Sequence, residues 1–462
     1  MIILPLVSFS QHQDLQEKPK IWQTEQKIIT DTTSLLSAFK NGKVNGHFRY
    51  FYSLTNNRTG LTDYFANAVG GGIRYETRPY YGWSVGVSGF YIFNAGSSPL
   101  LTKDPATSQS NRYEIGLFDI AETTQIHEIN RVEEFHIKYQ YKGLKAIVGR
   151  QLLNTPFINL QDGRMRPTAV EGIWIEQNIS QKSAIQLGWL YAIAPRSTSK
   201  WTSIADAIGI YSVGVDAQGV KSQYYGNVQS KGAFMINYQW KARSNFKINV
   251  WDLYLDNIFN IALVQADFEL PQQQGKLYFG SQNALQVKIG NGGNPNEALA
   301  YNTNSKPVWI FGMNVGWKNK NWDHSLNFNS IGDKGRYLMP REFGRDYFYT
   351  FLPRERNEGL GGATAFTWKS VYKFNQATSI QAAYGYYKLP DVKNYNLNKY
   401  GLPSYTQLNI DIRHKFGSRL QGLEAQLLYV HKWKVGEDYG NDKFVIHKVD
   451  MDLINFVLNF RF

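Results

Sequence analysis

The last nine residues, Ile454-Asn455-Phe456-Val457-Leu458-Asn459-Phe460-Arg461-Phe462, put an apolar side chain at every even position and end the chain on an aromatic ring. Successive side chains of a strand point to opposite faces, so such a segment has one apolar wall and one mixed wall. An outer-membrane β-barrel needs that division, because its outside meets lipid and its inside meets a wet lumen. The pattern recurs far upstream. On 82–93, Trp83, Val85, Val87, Tyr91 and Phe93 share one face, with Ser84, Gly86 and Ser88 on the other. On 406–416, Leu408, Ile410 and Ile412 oppose Asn409, Asp411 and Arg413.

Aromatic residues are abundant, with 30 Tyr, 27 Phe and 12 Trp, yet no apolar run approaches the roughly 18 residues a membrane helix requires. That combination suits alternating strands with aromatic girdles. Cysteine is absent, which excludes disulfides, thiolate metal sites and cysteine nucleophiles. The net charge of +13 must avoid the lipid face, where a base costs roughly 2–4 kcal/mol at the midplane, and so belongs to lumen, rims and loops. Nucleic acid is not an expected partner, since there is no Lys/Arg-rich run and no recognition helix.

Residues 1–10 are apolar without a basic leader and read as the remnant of a secretory signal, a plain apolar tail being the alternative. Residues 11–44 are polar, show no strand and are expected to form a periplasmic tail; 45–462 are expected to form the barrel. Short polar turns stand at 78–82, 141–143, 180–183, 241–245, 271–275, 318–321, 375–378 and 417–419. Between them, apart from a tight turn near Asp256-Asn257, run long connections: 55–67, 94–130, 153–168, 195–222, 290–306, 331–362, 389–405 and 434–448. Tight turns alternating with long ones are the asymmetry of a bacterial barrel, here of about eighteen strands with both ends in the periplasm. Period two then turns Arg49, Arg74, Lys138, Lys145, Lys247, Lys288, Lys369, Arg413 and Arg461 inward, together with Glu76, Glu134, Asp411 and Glu424. The expected lumen is net basic, although ordinary solvated charges in a wide pore would read the same way.

Three blocks carry a family resemblance: Leu35 to Phe51; Val148-Gly149-Arg150-Gln151 with Thr155-Pro156 and Asp162-Gly163-Arg164-Met165-Arg166-Pro167; and Met339 to Arg345 with Phe351 to Gly359. In that order they resemble the OprD-type outer-membrane porins over roughly residues 35–462. The resemblance implies an eighteen-strand pore whose third and seventh outer loops fold inward as a constriction, approached by a ladder of basic side chains. It nominates Arg150, Arg164, Arg166, Arg341, Arg345, Arg354 and Arg356 for the constriction; independently of the resemblance, Asp162 and Asp346 are the acids expected to contact a substrate ammonium group.

Guanidinium forks match carboxylates and stay charged at any relevant pH, so a ring of them can stand in for water around a passing anion. Weak, repeated contacts let a solute leave again. The second constriction block also holds Glu342, Asp346, Glu355 and Glu358, so its charge is balanced, either as a transverse field that suits zwitterions or as salt bridges holding the loop. Tyr337, Tyr347, Phe348, Tyr349 and Phe351 offer a stacking path for rings, or simply pack the loop.

The expected function is passive, selective diffusion of small solutes across the bacterial outer membrane, carboxylate-bearing ones foremost, with chitin-derived sugars as the alternative within the family. No cofactor or metal is called for. An enzyme on a barrel of this class, a phospholipase or protease, is the rival, but His324 and Ser325 point to opposite faces and there is no Gly-x-Ser-x-Gly or His-Glu-x-x-His motif. Expected partners are membrane lipid, the solutes, and the barrel-assembly machinery through the strand ending in Phe462.

Overall fold

Turn chemistry and strand length close the sheet on itself. The computed structural model describes residues 20–22, 31–122, 128–160 and 164–462. A short helix, α1 (Leu35–Lys40), leads into β1 (Lys43–Asn56), β2 (Tyr64–Glu76), β3 (Trp83–Ser97), β4 (Glu128–Tyr141), β5 (Leu144–Gln151), β6 (Ala169–Asn178) and β7 (Ser183–Ala194). A two-residue strand, β8 (Thr202–Ser203), precedes helix α2 (Ile204–Ala207). Then come β9 (Ala233–Arg243), β10 (Phe246–Leu255), β11 (Phe259–Gln272), β12 (Gly275–Lys288), β13 (Val308–Lys318), β14 (Trp322–Ile331), β15 (Thr364–Lys373), β16 (Thr378–Lys388), β17 (Tyr405–Lys415), β18 (Leu423–Lys434) and β19 (Met451–Arg461). Each pairs antiparallel with the next, except that β8 only caps β7, whose neighbour is β9. The seam closes where Arg49 of β1 faces Gly70 of β2 on one side and Asn459 of β19 on the other. Eighteen staves therefore form one antiparallel barrel with no free edge.

The hairpins follow local rules. Lys142 and Gly143, both at positive φ (42° and 85°), make the tight connection between β4 and β5 whose twist matches that of its strands. The faces sort as the alternation requires: Trp309, Phe311, Met313 and Val315 of β13 are exposed to the membrane side, while Val308 and Ile310 are buried inside. The nine bases expected in the lumen all stand on the inward face of their strands, as the exposed outward neighbours show.

One irregularity adds charge to the lumen. Ser88 faces Glu134 but Gly89 faces Val132, so β4 bulges by one residue. Glu133 and Glu134 thus both turn inward and are both buried, where unbroken alternation admits only one of them.

Inward-folded loops fill part of the interior. The third connection (152–168), the fourth (195–232) and the seventh (332–363) bury Phe157, Ile158, Ile204, Ile208, Tyr337, Leu338, Phe343 and Tyr347 against Trp174, Leu253, Ile261 and Ile310 of the wall. The fourth connection runs on to 232 rather than 222, because Tyr224 and Val228 join that core. At roughly 1.5–3 kcal/mol for each large apolar side chain buried, the inward loops are held by hydrophobic packing. What remains open lies against β1, β18 and β19.

Candidate functional site: the constriction

The inward polar side chains of the wall act first as hooks for the seventh connection. Gln286 donates to Leu338 O (2.6 Å), Gln282 to Tyr347 O (2.9 Å), Lys369 to Tyr349 O (2.6 Å), Gln407 to Pro353 O (2.7 Å) and Lys432 to Arg354 O (2.7 Å). Five strand residues thus satisfy carbonyls that burial would otherwise orphan. The third connection is clamped to the seventh by Asn159. Its backbone N–H donates to Phe343 O (3.0 Å), its side-chain N–H to Arg345 O (3.0 Å), and its side-chain oxygen accepts from Arg345 N (3.2 Å). Gly344 makes room for it: at φ 140° a Cβ there would meet the Asn159 side-chain oxygen at 2.3 Å.

A further loop completes the ring. In the second connection, Glu114 is fully buried and accepts from Ser53 (3.0 Å), Thr55 (2.6 Å) and Asn111 (2.8 Å), which ties 111–117 to the β1 wall. Tyr113 donates to His447 O of the ninth connection (3.0 Å).

Between these loops and β1, β18 and β19 lies a cavity of about 920 Å³, counted to its open ends. Arg49, Arg112, Arg164, Arg341, Arg345, Arg354 and Arg356 line it, with Asp346 and Glu355 as the acids. Phe51, Phe351, Tyr113, Leu428 and Val457 supply an apolar wall. Several guanidinium groups are braced by rings: Arg345 lies 4.5 Å from the Phe351 ring centre, Arg49 5.4 Å from Phe51, and Arg354 and Arg112 5.1 and 5.5 Å from Tyr113. Stacking of this kind orients a cation without neutralising it.

The acids of the seventh connection tie it to itself and to its neighbouring loops. Glu342 accepts from the N–H groups of Gly209 (3.2 Å) and Tyr211 (2.9 Å), Glu358 pairs with Lys399 (2.9 Å) and Tyr400 (2.6 Å), and Asp346 accepts from Asn357 N (2.8 Å). Glu355 accepts from Leu352 N (2.8 Å) and Asn357 (2.7 Å). Burial pushes Glu355 up to about 7 and raises Asp346. Burial, reinforced by Arg341, Arg196 and Arg112, brings Arg356 down to about 10. The loop's formal neutrality thus hides a spatial sorting: all four arginines line the passage, whereas of the four acids Glu342 and Glu358 are engaged by neighbouring loops and only Asp346 and Glu355 reach it.

Six of the nominated residues, Arg164, Arg341, Arg345, Asp346, Arg354 and Arg356, meet at this cavity. Of the other three, the two that are described do not line it. Arg150 is a correction: it sits across from Phe135, which is 62% exposed on the outer wall, and pairs with Glu171 (3.1 Å) beneath Trp201 (4.7 Å). Gln151, the next residue, is the one that points inward. Arg166 lies under the cavity, buried against Glu133 and between two aromatic rings. Asp162 lies outside the described residues. Of the loop aromatics, Tyr337, Tyr347 and Phe348 pack on one another in the core, and Phe351 alone among the five reaches the cavity lining.

Sequence reasoning did not nominate Arg112, Tyr113 or Asn159. For Asn159 and the second connection no local motif marks the role, and only the folded loops bring them to the passage. For Arg164 the close approach is visible in Gly116, where a Cβ would lie 1.7 Å from its terminal nitrogen.

Residues 131–308 match the model of the outer membrane porin, OprD family. Among solved structures, OccAB4 of Acinetobacter baumannii is similar at TM-score 0.71 and 14% identity, over 91% of this chain and 98% of that one. OccK9 (OpdG) of Pseudomonas aeruginosa is similar at TM-score 0.70 and 11% identity, over 92% and 99%. OpdK of Pseudomonas aeruginosa, solved with vanillate, is similar at TM-score 0.65 and 12% identity, again over 92% and 99%. No curated protein matches the chain in sequence.

Proposed function

We propose that this chain, an outer-membrane porin of the OprD type, passes small carboxylate-bearing solutes, amino acids or organic acids, by diffusion. The observation that carries the reading is one cavity with seven arginines against two acids, several of its guanidinium groups braced by rings. An anion there exchanges water for charge-assisted hydrogen bonds from several forks in turn. No single deep site is needed, so entry and exit both stay rapid. The vanillate bound by the similar OpdK is an aromatic carboxylate, which suits a passage with arginines on one side and Phe51, Phe351, Leu428 and Val457 on the other.

Chitin-derived sugars are the second reading, favoured only by the aromatic lining. Phe51, Tyr113 and Phe351 are each engaged by a guanidinium group, which leaves little free ring face for a sugar. We further propose that the segment before β1 enters from the periplasmic side, where Asp31 and Thr32 meet the first tight turn, and that Phe462 presents the last strand to the assembly machinery. In support of the latter, Gly46 and Phe462 exchange backbone hydrogen bonds (2.8 and 3.1 Å) at the seam between the first and last strands.

The test is single-channel conductance of the refolded protein in planar bilayers, with amino acids, aromatic carboxylates and short chitin oligosaccharides added in turn. Current steps interrupted by carboxylates alone support the proposal. Interruption by the sugars alone transfers it to the second reading, and an absence of steps removes the pore.

A further inference from the structure

Trp22, well upstream of the first strand, is inside the barrel. It is only 8% exposed. Its indole N–H donates to Glu134 of β4 (2.9 Å), its ring meets His47 of β1 edge-on (6.3 Å, 79°), and the Arg166 guanidinium lies 5.1 Å from its centre. On its other side Arg166 lies 4.2 Å from Phe90 of β3, so the cation is held between two rings. Asp31 and Thr32 are tied to the first periplasmic turn, through Gly82 N to Asp31 (3.3 Å) and Thr32 N to Pro79 O (2.9 Å), which places the chain leading into β1 at the periplasmic mouth.

We propose that Trp22 is a tethered plug that occupies a binding site of its own in the lumen below the constriction. The site is made by the barrel wall and the third connection, and its chemistry is that of a receptor for a flat aromatic ring bearing an N–H donor: a carboxylate for the N–H, and a guanidinium and an imidazole for the ring. Glu134 and Arg166 keep other partners without the indole. Glu134 accepts from Ser88 (2.9 Å) and pairs with Arg74 (3.3 Å), and Arg166 pairs with Glu133. The site therefore survives withdrawal of the tail, and leaves an open ring-sized place beside Arg166. With Trp22 docked, a solute leaving the constriction meets an occupied exit; with it withdrawn, the exit widens and exposes the cation face of Arg166.

This inference rests on the porin reading, and its test separates the two. Single-channel currents of the full chain are compared with those of Trp22→Ala and Trp22→Phe, with indole added on the periplasmic side. Trp22→Ala is expected to conduct more than the wild type, without its brief closures, and to be blocked by indole, which leaves the wild type unaffected. Trp22→Phe keeps a ring but loses the donor, so closures persist and shorten about tenfold, the loss of one hydrogen bond to a charged group. A Trp22→Ala channel with wild-type conductance, or one that indole does not block, overturns the plug and leaves the porin reading standing. Absence of channels in all three removes the porin reading, and this one with it.

Discussion

The constriction and the lumen below it are both rich in bases, but they treat charge in opposite ways. Below the constriction the bases are paired across or along strands: Arg74 with Glu76 (2.6 Å) and Glu134 (3.3 Å), Lys138 with Glu76, Lys145 with Glu176 (3.3 Å), Arg413 with Asp411 (2.7 Å) and Arg461 with Glu424 (2.6 Å). In the constriction the loop acids are turned toward loop backbone and the arginines are braced by rings. A paired base presents a dipole to a passing solute, whereas a braced one presents its charge. At 4 Å a unit charge pair is worth about 4 kcal/mol at an effective dielectric of 20, and much less once a counter-charge sits beside it. Ion selectivity should therefore reside in a thin layer rather than along a ladder.

The largest expected effect comes from the layer itself. Replacing Arg345 and Arg356 together with Gln should lower the preference for chloride over potassium by roughly tenfold or more, read as a shift of reversal potential under a salt gradient. Wild-type selectivity in that double variant would place the filter elsewhere. Next comes the clamp. Asn159→Ala frees the Arg345 backbone from two hydrogen bonds, so conductance should rise and selectivity should weaken, with the heat-modifiable barrel still folded on gels. An unchanged current would show that apolar packing holds the two loops without it.

Acid should sharpen the contrast by a moderate amount. Glu355, raised by burial to about 7, is charged above that pH and neutral below it. Removing a negative charge from among arginines increases anion preference as pH falls from about 8 to about 6. Lys448 in the ninth connection, lowered by burial to about 7, gains charge over the same range and adds in the same direction. Glu355→Gln should flatten most of this dependence, and an undiminished slope would assign it to Lys448. On stability the sign is opposite to that of a salt-bridged acid. The folded barrel holds the Glu355 proton more tightly than the unfolded chain, so stability falls as pH rises from the ordinary 4.5 to about 7 and is then level.

The smallest effect is expected from Arg461→Gln and Arg150→Gln. The first leaves Glu424 close to Lys415 (3.7 Å), and the second changes only the outer wall. Reversal potentials should stay near wild type in both, and a shift as large as that of the constriction pair would restore the ladder as the filter.

Much of this was legible in the chain. Alternation located the inward bases strand by strand, and the sequence of tight and long connections counted the staves. Read forward from Val148, the same alternation sends Arg150 outward; its nomination came from the neighbouring block rather than from its own parity. The Glu133-Glu134 pair shows the limit of a period-two count, because one extra residue in β4 admits both acids.

Sequence alone determined the barrel, its number of staves and which strand residues face the pore, because those depend on a local period and on turns a few residues long. Tertiary structure decided which loops fill the interior, which arginines share one cavity, and that Trp22 reaches Glu134 across 112 positions. These are contacts between segments distant in the chain, settled by apolar burial and by whichever carbonyl or carboxylate each polar group meets when the loops come down.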